Sequence, residues 1–296
     1  MPRLDDGATH VVRVARLAMA TRFEAVLRGP RPEALRAAAE DALDEVQRVE
    51  AWISPYLHGS ALSRIHREAH LHPVPVEPPV FDFLSLAADL VEATGGTFDP
   101  TVGPLLRAWG FRDGQPSPPG PEAFEEARAR VGWHHVQLDP ATRSVRFLRH
   151  GVDLHPGAIG KGWALDRAAG LLREAGVESA LLHGGTSSVV AIGPPPSLPP
   201  WPVALPVGPE DPVGGTVVEL RDATLSVSAA WGRSVAGPAH VLDPRTGRPV
   251  PSGRMAAVAL PSAAASDAWS TALLVDPTLV AARLAARHAG ARWWTG

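Results

Sequence analysis

The sequence contains no cysteine. Disulfides, thiolate nucleophiles and cysteine-ligated metals are therefore excluded, and any site chemistry must use oxygen and nitrogen donors. Lysine is almost as scarce: Lys161 is the only one among 28 Lys and Arg residues. Basic runs are absent and the net charge is −3, which argues against nucleic acid as the main partner. No hydrophobic run reaches the length of a membrane span, and Met1 to His10 is short and polar. The expected location is the cytoplasm, unless an export leader once preceded Met1.

What is present is ordinary for a globular chain of 296 residues: 45% hydrophobic and 20% charged, enough to bury a large core. By length, residues 1–296 read as one large domain or two intertwined ones. No fixed-period repeat is visible. Alternating apolar residues predict two strands within His10–Arg28, and helical spacing predicts long helices over Pro32–Ile53 and Val80–Thr94. His134–Leu138 and Ser144–Leu148 read as a hairpin, Gln115–Pro121 as a proline-rich loop, and Val203–Val207, Gly215–Leu220 and Thr224–Ser228 as antiparallel strands. Hairpins mixed with helices indicate an α+β fold rather than a βαβ array. His134 and His135 invite a metal reading, but on a strand they would face opposite ways.

The lysine sits in Gly157-Ala158-Ile159-Gly160-Lys161-Gly162, ahead of an amphipathic run from Trp163. A glycine-rich turn opening onto a helix N-terminus suits a phosphate, because bare backbone approaches closely and free N–H groups face the anion. An ammonium is a compact point charge that guanidinium does not replace freely. The plainer alternative is a surface lysine retained by chance. A second glycine turn, His183-Gly184-Gly185-Thr186, could meet the same ligand, although strand-linking glycines are common.

Three further stretches carry candidate groups. Asp99-Pro100-Thr101 is turn chemistry and reads equally as a capped turn before a helix at Leu105. His240 precedes a tight Asp243-Pro244-Arg245-Thr246-Gly247 turn; it is a candidate base, or a packed strand-end residue. Asp267 and Thr271 are four apart on a helical pattern, so their oxygens share one face. They form half of an oxygen shell suited to Mg²⁺ on a diphosphate, or else Asp267 stabilises a helix N-terminus.

Taken together and in order, these stretches resemble the FAD:protein FMN transferases of the ApbE family over nearly the whole chain. The matching segments are Met19-Ala20-Thr21, Ser60 to Arg64, Gly96 to Leu105, Gly157 to Asp166, Gly184-Gly185, His240 to Pro249 and Asp267 to Thr271. The resemblance implies a T-fold-related α+β architecture, mostly antiparallel sheets with flanking helices, and FAD in a cleft between subdomains. It implies Mg²⁺-dependent cleavage of the FAD pyrophosphate, transfer of FMN to a threonine or serine of a target protein, and release of AMP. It assigns Asp267, Thr271 and the Ala158 carbonyl to the metal, Lys161 to the phosphates and His240 to the base. Met19, Asp99, Thr101, Gly160, Gly184, Gly185 and Ser228 then belong to the FAD site. The same phosphate site would serve a FAD pyrophosphatase giving FMN and AMP, or a non-catalytic flavin binder. The chain departs from the family pattern at His66, His155, Leu182, Thr186, Val227 and Ala229.

Overall fold

A computed structural model describes residues 9–112, 116–194, 198–206, 215–231 and 240–296. Gln115 and Val207, each expected at the end of an element, lie outside the described residues, as does most of the polar N-terminal segment. β1 (His10–Ala18) and β2 (Thr21–Gly29) form a hairpin, followed by α1 (Pro32–Ile53) and α2 (Ala61–Glu68). Then come β3 (Val74–Pro75), α3 (Pro78–Thr94), a 3-10 turn at Pro100–Val102, α4 (Gly103–Ala108) and α5 (Pro121–Arg128). β4 (Val136–Asp139) and β5 (Ser144–Phe147) precede a 3-10 turn at Pro156–Ala158 and α6 (Gly160–Glu174). β6 (Ala180–Gly184), β7 (Ser188–Ile192), β8 (Trp201–Ala204), β9 (Val217–Leu220), β10 (Ala223–Ala229) and β11 (Met255–Ala259) follow. The described chain closes with α7 (Ala263–Val275), α8 (Pro277–Arg287) and β12 (Arg292–Thr295).

Seven strands form one sheet in the order β1-β2-β6-β7-β10-β11-β12; β3-β5-β4 and β8-β9 form two smaller sheets. Every strand pairing among the described residues is antiparallel, which bears out the α+β expectation. The alternation Phe23, Ala25, Leu27 places these side chains, all fully buried, on the face that α1 covers. α6 and α7 cover the rest of that face, and Trp269 of α7 is completely buried in the main core. The opposite face is partly covered by the β8–β9 hairpin through Trp201, Val218 and Leu220. A third apolar cluster, Leu105, Leu106, Ala127, Val131 and Leu242, joins α4, α5 and the segment after His240.

Three expectations are corrected. Asp267 does not sit in the first turn of its helix, because α7 begins at Ala263, capped by Ser262 whose hydroxyl accepts the Ala265 N–H at 3.2 Å. His134 and His135 lie in a 3-10 turn rather than on a strand, so their rings meet at 4.0 Å instead of pointing apart. His240 to Leu242 forms no regular strand and keeps only the Leu242–Pro249 bridge. No helix among the described residues is long and apolar enough to cross a membrane.

Candidate functional site

Lys161 is the second residue of α6, and the 3-10 turn Pro156–Ala158 brings the chain into that helix. Among the described residues no carboxylate lies within salt-bridge distance of its half-buried side chain. The next residue explains the local glycines. A Cβ on Gly162 would stand 2.2 Å from the Ala263 carbonyl oxygen and 2.6 Å from the Ala264 nitrogen, so only glycine lets α6 and α7 approach so closely. The Gly162 N–H, one of the donors that a helix start leaves unpaired, donates to Asp267 Oδ2 at 2.7 Å. One turn further, Asp166 accepts from the Ala263 and Ala264 N–H groups at 2.8 and 2.9 Å and from the Ser262 hydroxyl at 2.8 Å. It thereby caps α7 from α6. Burial pushes its carboxyl above the usual carboxylate range; the three donors pull it back, and the nearby Asp267 charge adds to the rise.

Asp267 is 3% exposed and bonded on both oxygens. Its Oδ1 accepts the hydroxyls of Ser188 on β7, at 2.7 Å, and Ser226 on β10, at 2.5 Å. The period of two on β10 aims Thr224, Ser226 and Ser228 at α7, which meets them with Ser266, Asp267, Ser270 and Thr271. Thr224 and Ser266 share a hydrogen bond of 2.7 Å, and Ser228 bonds Ser270 at 2.9 Å and Thr271 at 3.0 Å. A ladder of hydroxyls thus runs from the buried carboxylate to the half-buried pair Ser228 and Thr271. Asp267 and Thr271 do share a helical face, as their spacing predicted.

The same end of the large sheet carries other residues of interest. Met19 and Ala20 occupy the β1–β2 turn with φ of 51° and 56°, the left-handed region that a two-residue hairpin turn requires. Neither is glycine, and the strain is held by a bond of 2.8 Å from the Met19 N–H to Glu50 Oε1 at the end of α1. Gly184 pairs with Phe23, and a Cβ on Gly185 would fall 2.8 Å from Thr21 Oγ1, so the second glycine turn abuts the first hairpin. Val227 donates to the Ser187 carbonyl at 2.7 Å, bringing β10 alongside that turn. Gly160 sits against Ile53 of α1.

Asp99 and Thr101 act locally as the capped turn their spacing allowed. Asp99 Oδ1 accepts from the Thr101 N–H and hydroxyl at 2.8 and 2.7 Å, Oδ2 accepts from the Trp133 N–H at 2.9 Å, and burial raises its pKa against these donors. The turn is tied to the lysine segment by bonds from His155 N–H to the Pro100 carbonyl, 2.6 Å, and from Gly103 N–H to the Asp153 carbonyl, 3.2 Å. His240 is half-buried at the head of a turn that docks on the same unit, where Trp109 Nε1 donates to the Gly247 carbonyl at 3.0 Å. Asp153 binds the guanidinium groups of Arg107 and Arg112 at 2.7 and 2.6 Å. His66 Nε2 accepts the Leu154 N–H at 2.9 Å; burial is the main cause that lowers its pKa, against a raising effect of Asp153.

The segments that carry Met19, Gly160, Lys161, Gly184, Gly185, Ser228, Asp267 and Thr271 are thus linked through their neighbours Glu50, Ile53, Thr21, Ser187 and Gly162, with Asp99 and His240 on the adjoining unit. Sequence reasoning passed over Ser188, Ser226, Asp166 and Glu50. The signal for the serines was present: hydroxyls at alternate positions of an otherwise apolar strand need a buried polar partner. No group of three or more His, Asp or Glu side chains among the described residues could hold a metal, so the His134–His135 pair gains no third ligand. The oxygen set fits a hard divalent ion differently. Among the described residues Asp267 Oδ2 accepts only the Gly162 N–H and so keeps one acceptor position, and Thr271 Oγ1 can donate to Ser228 while keeping its lone pairs for a metal.

Comparison with known proteins bears on the family and the fold. The chain is 32% identical over 261 residues to the FAD:protein FMN transferase of Klebsiella pneumoniae, covering 82% of this chain and 71% of that one. It is 31% identical over 252 residues to the protein of the same name in Salmonella typhimurium, covering 80% and 70%. The crystal structure of the ApbE protein from Thermotoga maritima superposes with a TM-score of 0.85 at 27% identity, over 96% of this chain and 93% of that one. The flavin transferase ApbE from Vibrio cholerae, at 22% identity, shares the fold with a TM-score of 0.81 over 98% of both chains. The ApbE family model matches residues 19–293, and the chain belongs to that family.

Proposed function

We propose that this chain is a FAD:protein FMN transferase: it cleaves the pyrophosphate of FAD, passes FMN to a threonine or serine of a target protein and releases AMP. The observation that carries the reading is the 2.7 Å bond from Gly162 N–H to Asp267 Oδ2. It joins the helix start bearing the only lysine to the helix bearing Asp267 and Thr271, so that a cation and hard oxygen donors can converge on one diphosphate. The names of the relatives supply the substrate.

Transfer of FMN forms a bond between the acceptor Oγ and the FMN phosphorus and breaks the bond from that phosphorus to the bridging oxygen, which leaves with AMP. Such a displacement needs positioning and charge neutralisation more than covalent help. The Ala158 carbonyl, Asp267 and Thr271 would hold Mg²⁺, which neutralises charge on the diphosphate. The Lys161 ammonium contacts the phosphates from the first turn of α6, where the helix dipole also favours an anion. Gly160, Gly184 and Gly185 let backbone approach the ligand, while Met19, Asp99, Thr101 and Ser228 shape the FAD site. His240 takes the proton of the acceptor hydroxyl, a group too weakly acidic to ionise unaided.

The test is incubation with FAD, Mg²⁺ and a target protein carrying the acceptor threonine, followed by in-gel flavin fluorescence. Mg²⁺-dependent covalent flavin on the target is expected. Its absence overturns the reading, and release of AMP without a target would make the chain a FAD pyrophosphatase instead.

A further inference from the structure

We infer that Ser188 and Ser226 are positioning residues that hold Asp267 to one-oxygen coordination and so make the metal site selective for Mg²⁺ over Ca²⁺. The inference rests on the metal assignment in the proposed function and concerns residues that assignment leaves out.

A carboxylate oxygen offers about two acceptor positions in its plane. On Oδ1 of Asp267 both are taken, by the Ser188 hydroxyl at 2.7 Å and the Ser226 hydroxyl at 2.5 Å. On Oδ2 one is taken, by the Gly162 N–H at 2.7 Å. A divalent ion can therefore bind through Oδ2 alone, unless it displaces a hydroxyl. Displacement is opposed because neither serine is free to turn away: both are buried on central strands, and Ser226 also accepts from the Ser270 hydroxyl at 3.3 Å. Mg²⁺ accepts this arrangement, since it favours a compact octahedral shell in which one or two carboxylate oxygens are completed by phosphates and waters. Ca²⁺ takes six to eight oxygens at longer distances and gains from a carboxylate that can bind through both oxygens. The two serines remove that option. They also keep the carboxylate from rotating, because each oxygen is bonded to a different element: Oδ1 to the sheet and Oδ2 to α6.

The test measures the ratio of Ca²⁺ to Mg²⁺ dissociation constants by calorimetric titration of the chain saturated with FAD. Wild type, Asp267→Asn, Ser188→Ala, Ser226→Ala and the double serine variant are compared, each first checked for a cooperative melt. Wild type is expected to prefer Mg²⁺, and the double variant to lower the Ca²⁺/Mg²⁺ ratio at least tenfold, with smaller shifts in the single variants. If the double variant does not fold, the single variants decide, because each frees one acceptor position on Oδ1. An unchanged ratio in folded serine variants, or a wild type that prefers Ca²⁺, overturns the inference. Absence of Mg²⁺ binding, or Mg²⁺ binding that is unaffected in Asp267→Asn, instead overturns the metal assignment beneath it. A loss of packing alone would weaken both ions together and leave the ratio where it was.

Discussion

Gly162→Ala tests the contact on which the candidate site depends. The added methyl would meet the Ala263 carbonyl oxygen at 2.2 Å and carbon at 2.4 Å, both backbone atoms that no rotamer change can move. The helices must separate, so two costs combine. Forcing a methyl into a packed contact costs about 1–3 kcal/mol, and losing a hydrogen bond to a charged carboxylate costs about 1.5–3 kcal/mol. A total near 3–5 kcal/mol lowers the melting temperature of a chain this long by about 5–8 °C. Gly170→Ala is the control. Gly170 lies in the same helix, and a Cβ there meets nothing within 4 Å. That substitution should stabilise by about 0.5–1 kcal/mol, because glycine loses the most backbone entropy on entering a helix. Thermal melts of the two variants with wild type read the difference directly, and Mg²⁺ titration of Gly162→Ala should show weakened metal response. A Gly162→Ala variant that melts with or above wild type would refute the close approach of α6 and α7 and, with it, the site geometry.

Asp166→Ala removes three acceptor contacts at the start of α7 and should cost about 2 kcal/mol in urea unfolding, with Asp166→Asn recovering part through its remaining oxygen. Lys161→Ala and Lys161→Arg should leave the melting temperature within about 0.5 kcal/mol equivalent of wild type, since the lysine has no salt-bridge partner among the described residues. Both should lose flavin transfer, because a planar fork does not replace a point charge at a tight phosphate site. His66 has its pKa lowered on folding, so the unfolded chain takes up the proton first as pH falls. Its contribution to stability is full above the ordinary histidine pKa and declines below it. His66→Gln, whose amide oxygen reaches about as far as Nε2 and can still accept the Leu154 N–H, should therefore be less sensitive to a change from pH 7.5 to 5.5 than wild type, as read by urea midpoints.

How legible these features were depended on the range of the interaction. α1 was readable residue for residue because Leu35, Ala42, Leu43, Val46 and Val49 repeat at helical spacing and Pro32 marks the first turn. α8 and β12 lie beyond the elements assigned from sequence, although Val280 and Leu284 stand four apart on α8 and are its buried residues. α7 starts ahead of the N-terminal position considered for Asp267 because Ala263, Ala264 and Ala265 are apolar on every side, and only the Ser262 cap marks the boundary. His134 and His135 adjoin β4, which begins at Val136, and a strand pattern does not distinguish its first residues from the 3-10 turn that leads into it. Asp99 was open between a cap and a ligand; the structure shows the cap, with both oxygens given to Thr101 and Trp133.

By itself the sequence determined the chemistry available to this protein: oxygen and nitrogen donors only, one lysine between glycines, and a carboxylate four residues from a hydroxyl. Those are properties of composition and of short-range spacing, which the chain carries whatever its fold. Tertiary structure alone decided which partners the carboxylate has. Ser188, Ser226 and Gly162 lie 79, 41 and 105 residues from Asp267, and no local rule connects them. They meet because β7 and β10 are neighbours in the sheet while α6 and α7 share its covered face, at a contact that only a glycine permits.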